Sequence, residues 1–345
     1  MLFRSHGGSV VVGKEGYLYE SQYLVSHAGK DYIGEKEIDA RLERIRFVTE
    51  RLNEKGIHLL IAFAPSKADF FSEYIPDFYK RDSLNPTNYD SYRSKLLSSD
   101  IPFIDFNSYF LSVKKSAPYP LFPKQGIHWS EYGVYLSADS ILKYFNQKFG
   151  LNLNTMLCNH VDLSPELRST DYDLGDLCNV LYVMHHYDMP YPSLQFQTDP
   201  AKSKPNMLVV GDSFYWNIYY SEIPKKIFNG ANFWYYNHEV YCDSVPKKQV
   251  LDIAHFQNAV EQQKIILVLT TESNLNNLGF GFFEMAYDML HTDSNILRRY
   301  EQEIKNDPEW LKLVSKKAAE RNITLDEMIR SDARWMLEQE TAKKK

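Results

Sequence analysis

Apolar residues recur along most of the chain in two alternating patterns. Over Glu35–Lys55, the residues Ile38, Leu42, Ile45, Val48 and Leu52 fall near a 3.6-residue period and Gly56 closes the run, which predicts an amphipathic helix. Ile57–Ala64 is instead almost continuously apolar between a glycine and a proline, the pattern of a strand buried on both faces of a parallel sheet. The alternation predicts a helix over 89–97, a strand over 102–106 and a long helix over 131–149, with Ser130 as its N-cap. Further strands are predicted at 207–211, 233–236 and 264–271, with a helix over 249–262 before the last. Strands alternating with helices imply an α/β fold: a doubly wound, mainly parallel sheet flanked by helices.

Two stretches break this rhythm. Residues 151–203 are rich in Asp, Tyr, His and Pro and read as an irregular insertion over one sheet edge. From Asn295 the chain is charged and helical, with breaks at Asp307-Pro308 and Asn322-Ile323-Thr324, which predicts a small C-terminal helical appendage. The expected organisation is thus an α/β domain over 1–294 and an appendage over 295–345. No repeat at solenoid periods occurs.

Composition narrows the function. A chain of 345 residues can bury a sizeable core. A net charge of −6 without a basic stripe argues against nucleic acid as a partner. The 25 tyrosines against 5 tryptophans supply many amphipathic rings, suited to half-buried positions and, in places, to sugars. Cys158, Cys178 and Cys242 are odd in number and widely spaced, which rules out a disulfide framework and a CxxC motif and leaves a single bridge open. No apolar stretch is long enough to span a bilayer, and no signal-peptide pattern opens the chain, where Met1-Leu2-Phe3-Arg4 soon reaches Gly7-Gly8 and Val10-Val11-Val12. Lys343-Lys344-Lys345 reads as a solvated tail. His185-His186 with Asp188 lacks the helical spacing of a metal pair, and Asp171-x-Asp173-x-x-Asp176 lacks the glycine and terminal glutamate of a calcium loop; no metal is expected. With neither GxGxxG nor GxxxxGK[ST] present, a nucleotide-binding version of the fold is disfavoured and no cofactor is expected.

The sharpest chemical feature is Leu208-Val209-Val210-Gly211-Asp212-Ser213-Phe214, a buried strand running into a turn and an aromatic-rich helical stretch. Such a turn exposes Ser213 at the C-terminal sheet edge, where open α/β sheets bind ligands and where helix-start N–H groups can stabilise an oxyanion. Gly211 allows the tight turn, and Asp212 is expected to bond local backbone N–H groups. A serine nucleophile needs a base, and His128 lies at a comparable loop-to-helix junction, Gln125-Gly126-Ile127-His128-Trp129-Ser130. The candidate catalytic pair is therefore Ser213 and His128. Gly211, Asp212 and Phe214 line the candidate oxyanion and substrate pocket together with Trp129 as a sugar-stacking ring, Glu272 and Asn274 beyond the strongest strand, and Lys67 as a contact for an anionic sugar.

Four segments in order carry a resemblance to a known family. Gly13-Lys14-Glu15-Gly16-Tyr17-Leu18-Tyr19, Ile61-Ala62-Phe63-Ala64-Pro65-Ser66-Lys67, His128-Trp129 and Gly211-Asp212-Ser213-Phe214 resemble the motifs of the SGNH-hydrolase-like proteins of the alginate O-acetyltransferase type. The resemblance implies acyl-ester chemistry on a cell-envelope or secreted polysaccharide: an acetyl-Ser213 intermediate, His128 as base, a glycan partner, an envelope protein as possible acetyl donor, and an exported location. The chain departs from the family at one position, where the Asp two residues before the histidine is Gly126. Three readings stay open. His128 is oriented by a backbone carbonyl; one of Asp105, Asp171, Asp173 and Asp176 substitutes; or the protein is a silent glycan-binding or assembly protein.

Overall fold

The computed structural model describes residues 2–4, 9–80, 85–243, 245–252, 255–321 and 323–343. Gly7-Gly8, Asn322, Lys344 and Lys345 lie outside these. The strands are β1 (Leu2–Arg4), β2 (Ser9–Val12), β3 (Leu18–Glu20), β4 (His58–Ala64), β5 (Phe103–Asp105), β6 (Thr155–Ser164), β7 (Met189–Gln197), β8 (Met207–Gly211), β9 (Asn232–Tyr235), β10 (Glu239–Cys242), β11 (Val245–Val250) and β12 (Ile265–Thr271). A seven-stranded sheet has the order β11-β10-β9-β8-β12-β4-β5, parallel from β9 to β5 and antiparallel at β10 and β11. The fold is thus a mostly parallel α/β sheet flanked by helices, with helices also at the C-terminus. β12, last in sequence, lies between β4 and β8 and is buried at every position. Each of its aliphatic side chains contributes roughly 1.5–3 kcal/mol by leaving water.

The helix Glu35–Glu54 buries Ile38, Leu42, Ile45, Val48 and Leu52, the predicted stripe. The helix Glu131–Lys148 starts where Ser130 Oγ accepts from the Gly133 N–H at 3.1 Å. The helix expected over 249–262 is shorter, at Phe256–Glu261, because Gln249 and Val250 belong to the edge strand Val245–Val250 that pairs with β10.

The stretch expected to be irregular holds a regular ribbon. β6 and β7 pair antiparallel from Thr155↔Gln197 to Ser164↔Met189 and pack against the helix Glu131–Lys148. Pro190 and Pro192 disguise β7 in the sequence; in a two-stranded ribbon each strand has a free edge that accepts proline. Between the strands lies the short helix Asp173–Leu177. Cys158, Cys178 and Cys242 are free thiols.

The chain divides into two compact units, Met1–Phe283 and Glu284–Lys345. The second has a small core of its own, with Ile304, Val314, Met328 and Ile329 buried among the helices Phe282–Asn306, Pro308–Arg321 and Leu325–Lys343. No helix of the described residues is long and apolar enough to cross a membrane.

Candidate active site

The turn after β8 is fixed by the sheet itself. Gly211 faces Leu269 of β12, and a Cβ at Gly211 would lie 2.9 Å from the Leu269 carbonyl oxygen, so a side chain there would push the strands apart. Asp212 is fully buried. Its Oδ1 accepts from the Phe214 N–H (3.1 Å), and its Oδ2 accepts from the Thr271 N–H (2.8 Å), the Thr271 hydroxyl (2.7 Å) and the Asn274 amide (3.0 Å). The expected local bond is present, but the other three donors come from the end of β12 and the turn that follows it. Charge-assisted bonds of this kind are the strong ones, and they clamp the turn on which Ser213 opens the short helix Ser213–Tyr215.

His128 bridges this turn to the inserted segment. Its Nε2 is 2.9 Å from Ser213 Oγ, and its Nδ1 is 2.6 Å from Asp173 Oδ2. An ionised carboxylate only accepts, so Nδ1–H donates to Asp173 and the Nε2 lone pair faces the serine hydroxyl. The other Asp173 oxygen accepts from the Ile127 N–H at 2.8 Å. One carboxylate therefore holds both the imidazole and the backbone beside it. The face of the His128 ring meets Phe214, centroid to centroid 4.9 Å.

Gly126 explains how Asp173 reaches the ring. A Cβ at this position would sit 2.2 Å from the Thr170 carbonyl oxygen and 2.9 Å from that of Asp171, so the inserted segment passes through the space a side chain would fill. From the other side the loop is held by Lys67, whose Nζ donates to the carbonyls of Gly126 (2.6 Å) and Lys124 (2.9 Å). Lys67 is completely buried, and desolvation, partly offset by Asp173, lowers its pKa to about 7. Glu20, at the end of β3, is a carboxyl the sequence gave no reason to single out. Burial raises its pKa, His128 opposes that rise, and Asp173 adds to it.

Several expected pocket residues lie elsewhere. Trp129 is 1 % exposed, with its ring edge-on to Phe106 and Phe214, so it packs the core and has no face open for a sugar. Lys67 points into the protein and cannot meet an anionic sugar from solvent. Phe214 is buried under the His128 ring. Asn274 spends its amide hydrogens on Asp212 and Thr271. Glu272 is buried beside His27 and Asp69, with three potential ligand atoms within 4.8 Å of one another; His27 Nδ1 is bonded there to Asp69 at 2.5 Å, and the second Asp69 oxygen accepts from Asn107. Of the other carboxylates considered for His128, Asp105 caps a helix and pairs with Arg93, Asp171 accepts from Tyr191 and the Arg168 N–H, and Asp176 is exposed.

Fold and site geometry together define an SGNH-like α/β protein with a serine, a histidine and a carboxylate in line at the C-terminal sheet edge. A family model described as SGNH hydrolase-like domain, acetyltransferase AlgX, matches residues 10–217, and the chain belongs to that family. The O-acetyltransferase domain of Pseudomonas putida AlgJ is similar in fold, at 14% identity and a TM-score of 0.50 over 81% of this chain and 99% of that one. Bacillus cereus PatB1 (14% identity, 79% and 99% covered, TM-score 0.48) and Pseudomonas aeruginosa AlgX (14%, 82% and 70%, 0.48) are also similar. No curated protein matches by sequence.

Proposed function

We propose that the protein is an exported O-acetyltransferase or acetylesterase that carries an acetyl group on Ser213 and passes it to a hydroxyl of a cell-envelope or secreted polysaccharide, or to water. The observation that carries this reading is the continuous relay from Asp173 through His128 to Ser213. As His128 Nε2 takes the hydroxyl proton, Ser213 Oγ bonds to the acetyl carbonyl carbon, and the imidazolium is stabilised by Asp173. The Ser213 N–H opens a helical turn, a position with no acceptor in its own helix, and serves the developing oxyanion. The tetrahedral adduct collapses as the donor oxygen leaves with the proton from Nε2. The acceptor hydroxyl then attacks the acetyl-serine, loses its proton to Nε2, and Ser213 regains it on release.

Membership of an acetyltransferase family supports the acyl group and the glycan as a class. The alternative, a silent glycan-binding protein, was suggested by the missing carboxylate at Gly126; the Asp173 carboxylate 2.6 Å from His128 Nδ1 supports the catalytic reading instead. The test uses para-nitrophenyl acetate and a fluorophosphonate probe. Turnover and covalent labelling are both expected and both vanish in Ser213→Ala; a protein that neither hydrolyses the ester nor labels at Ser213 overturns the proposal.

A further inference from the structure

A cleft of about 530 Å³ opens beside the relay, with Ser213 and His128 themselves outside its lining. Its walls include Glu131 and Tyr135 on the helix that follows His128, Trp216, Asn217 and Tyr220 on the stretch that follows Ser213, and Thr170 from the inserted segment. Glu131 and Asn217 lie three and four residues beyond His128 and Ser213 in the chain. The cleft and the relay are mechanically one site. The Thr170 carbonyl packs on Gly126, the Thr170 hydroxyl accepts from the Asn217 amide at 3.1 Å, and Asp173 follows three residues on.

The lining has a definite chemistry. The Trp216 and Tyr220 rings stack at 5.3 Å and 17°, and Tyr220 is 76% exposed, so Tyr220, backed by Trp216, offers its outer aromatic face at the cleft. A pyranose offers the matching shape, an apolar C–H face with hydroxyls around its rim. Among the described lining residues Glu131 is the one acidic side chain, and none is Lys, Arg or His. Burial and the nearby Asp171 both raise the Glu131 pKa, with Arg168 opposing them, so the carboxyl sits in poorly hydrated surroundings. A sugar carboxylate placed there would share a desolvated site with Glu131, where two carboxyls do not both ionise, and the described cleft lining offers no Lys, Arg or His to pair with it.

We infer that this cleft seats an uncharged pyranose unit of the acceptor chain, one unit away from the one acylated, with the Trp216–Tyr220 pair as its platform and Glu131 excluding uronates. The inference rests on Ser213 acting on a glycan as proposed above, and it sets the substrate class for that site. The experiment is a calorimetric titration of the full chain carrying Ser213→Ala with neutral oligomers of β-1,4-linked glucose, mannose and N-acetylglucosamine, and with oligomannuronate.

At least one neutral oligomer is expected to bind, and oligomannuronate more than about tenfold more weakly, since two carboxyls in one desolvated site do not both ionise. Adding Tyr220→Ala, at an exposed position, weakens the neutral oligomer about tenfold. Adding Glu131→Lys shifts the preference toward oligomannuronate, while Glu131→Gln narrows the gap. The inference is overturned if no neutral oligomer binds, if oligomannuronate binds as tightly as the neutral oligomers, or if Tyr220→Ala and Glu131→Lys leave both affinities unchanged. Ester turnover and labelling of the unaltered chain report separately on Ser213, so a failed cleft and a failed nucleophile give different results.

Discussion

The turn that carries Ser213 and the segment that carries Asp173 meet on one imidazole, yet they are built differently. Ser213 is placed by the sheet: β8 is buried on both faces, Gly211 lies against β12, and Asp212 is tied to Thr271. Asp173 is placed by an insertion that lies outside the sheet, on a two-stranded ribbon, and reaches the histidine where a missing side chain leaves room. The proposed nucleophile thus belongs to the fold, and the carboxylate that reaches its histidine is portable. Any acid that reaches Nδ1 and can be held there serves.

The largest effect should come from cutting that portable end. Asp173→Ala is expected to lower kcat on para-nitrophenyl acetate by up to about four orders of magnitude, whereas Asp176→Ala, exposed in the same segment, stays near the parent rate. Equal rates in the two variants would return His128 to a dyad. Next, Gly126→Asp restores the family's residue and still damages the enzyme. The new Cβ collides with the Thr170 carbonyl, Asp173 is displaced, and a shift of about 1 Å costs roughly a hundredfold. A fully active Gly126→Asp protein would show that the insertion can step aside.

A smaller effect tests the strut behind the loop. The Lys67 pKa is about 7 in the folded protein and about 10.4 unfolded. Between these values the unfolded chain binds the extra proton, so this residue makes stability rise with pH across that window and contributes no slope below it. The contribution approaches ~1.4 kcal/mol per pH unit. Urea unfolding from pH 6 to 10 should therefore show a rise that is missing in Lys67→Met, whatever the constant cost of the two carbonyls left unpaired; parallel profiles would contradict it. Smallest of all, Ser130→Ala removes a helix cap and costs about 1 kcal/mol in the same unfolding assay.

The same contrast governs what could be read from the sequence. The parallel strands β4, β5, β8, β9 and β12, the helices over 35–54, 88–97 and 131–148, and both Ser213 and His128 follow from local signals, because burial on two faces and helical periodicity leave marks within a few residues; the antiparallel edge strands β10 and β11 were not foreseen. Asp173 was one of four open carboxylates, since its partner lies 45 residues away and nothing local distinguishes it from Asp171 or Asp176. The ribbon was hidden by its prolines. Lys67 and Trp129 were read as pocket groups, Lys67 from its place after a strand and proline and Trp129 from its place beside His128, while the structure buries Lys67 against two carbonyls and Trp129 among rings. Glu20 left no signal, because only the return of β3 toward His128 gives it a role.

The central place of β12 bears on how the protein is made. A chain leaving the ribosome N-terminus first can pair β4 with β5 and β8 with β9, but these two halves have no shared neighbour until Ile265–Thr271 has emerged. Until then Asp212 lacks Thr271 and Asn274, and the serine turn is unclamped. Assembly of the serine turn is thereby deferred to the end of synthesis of the α/β unit, and a nascent chain stopped before β12 carries Ser213 without the framework that holds it against His128.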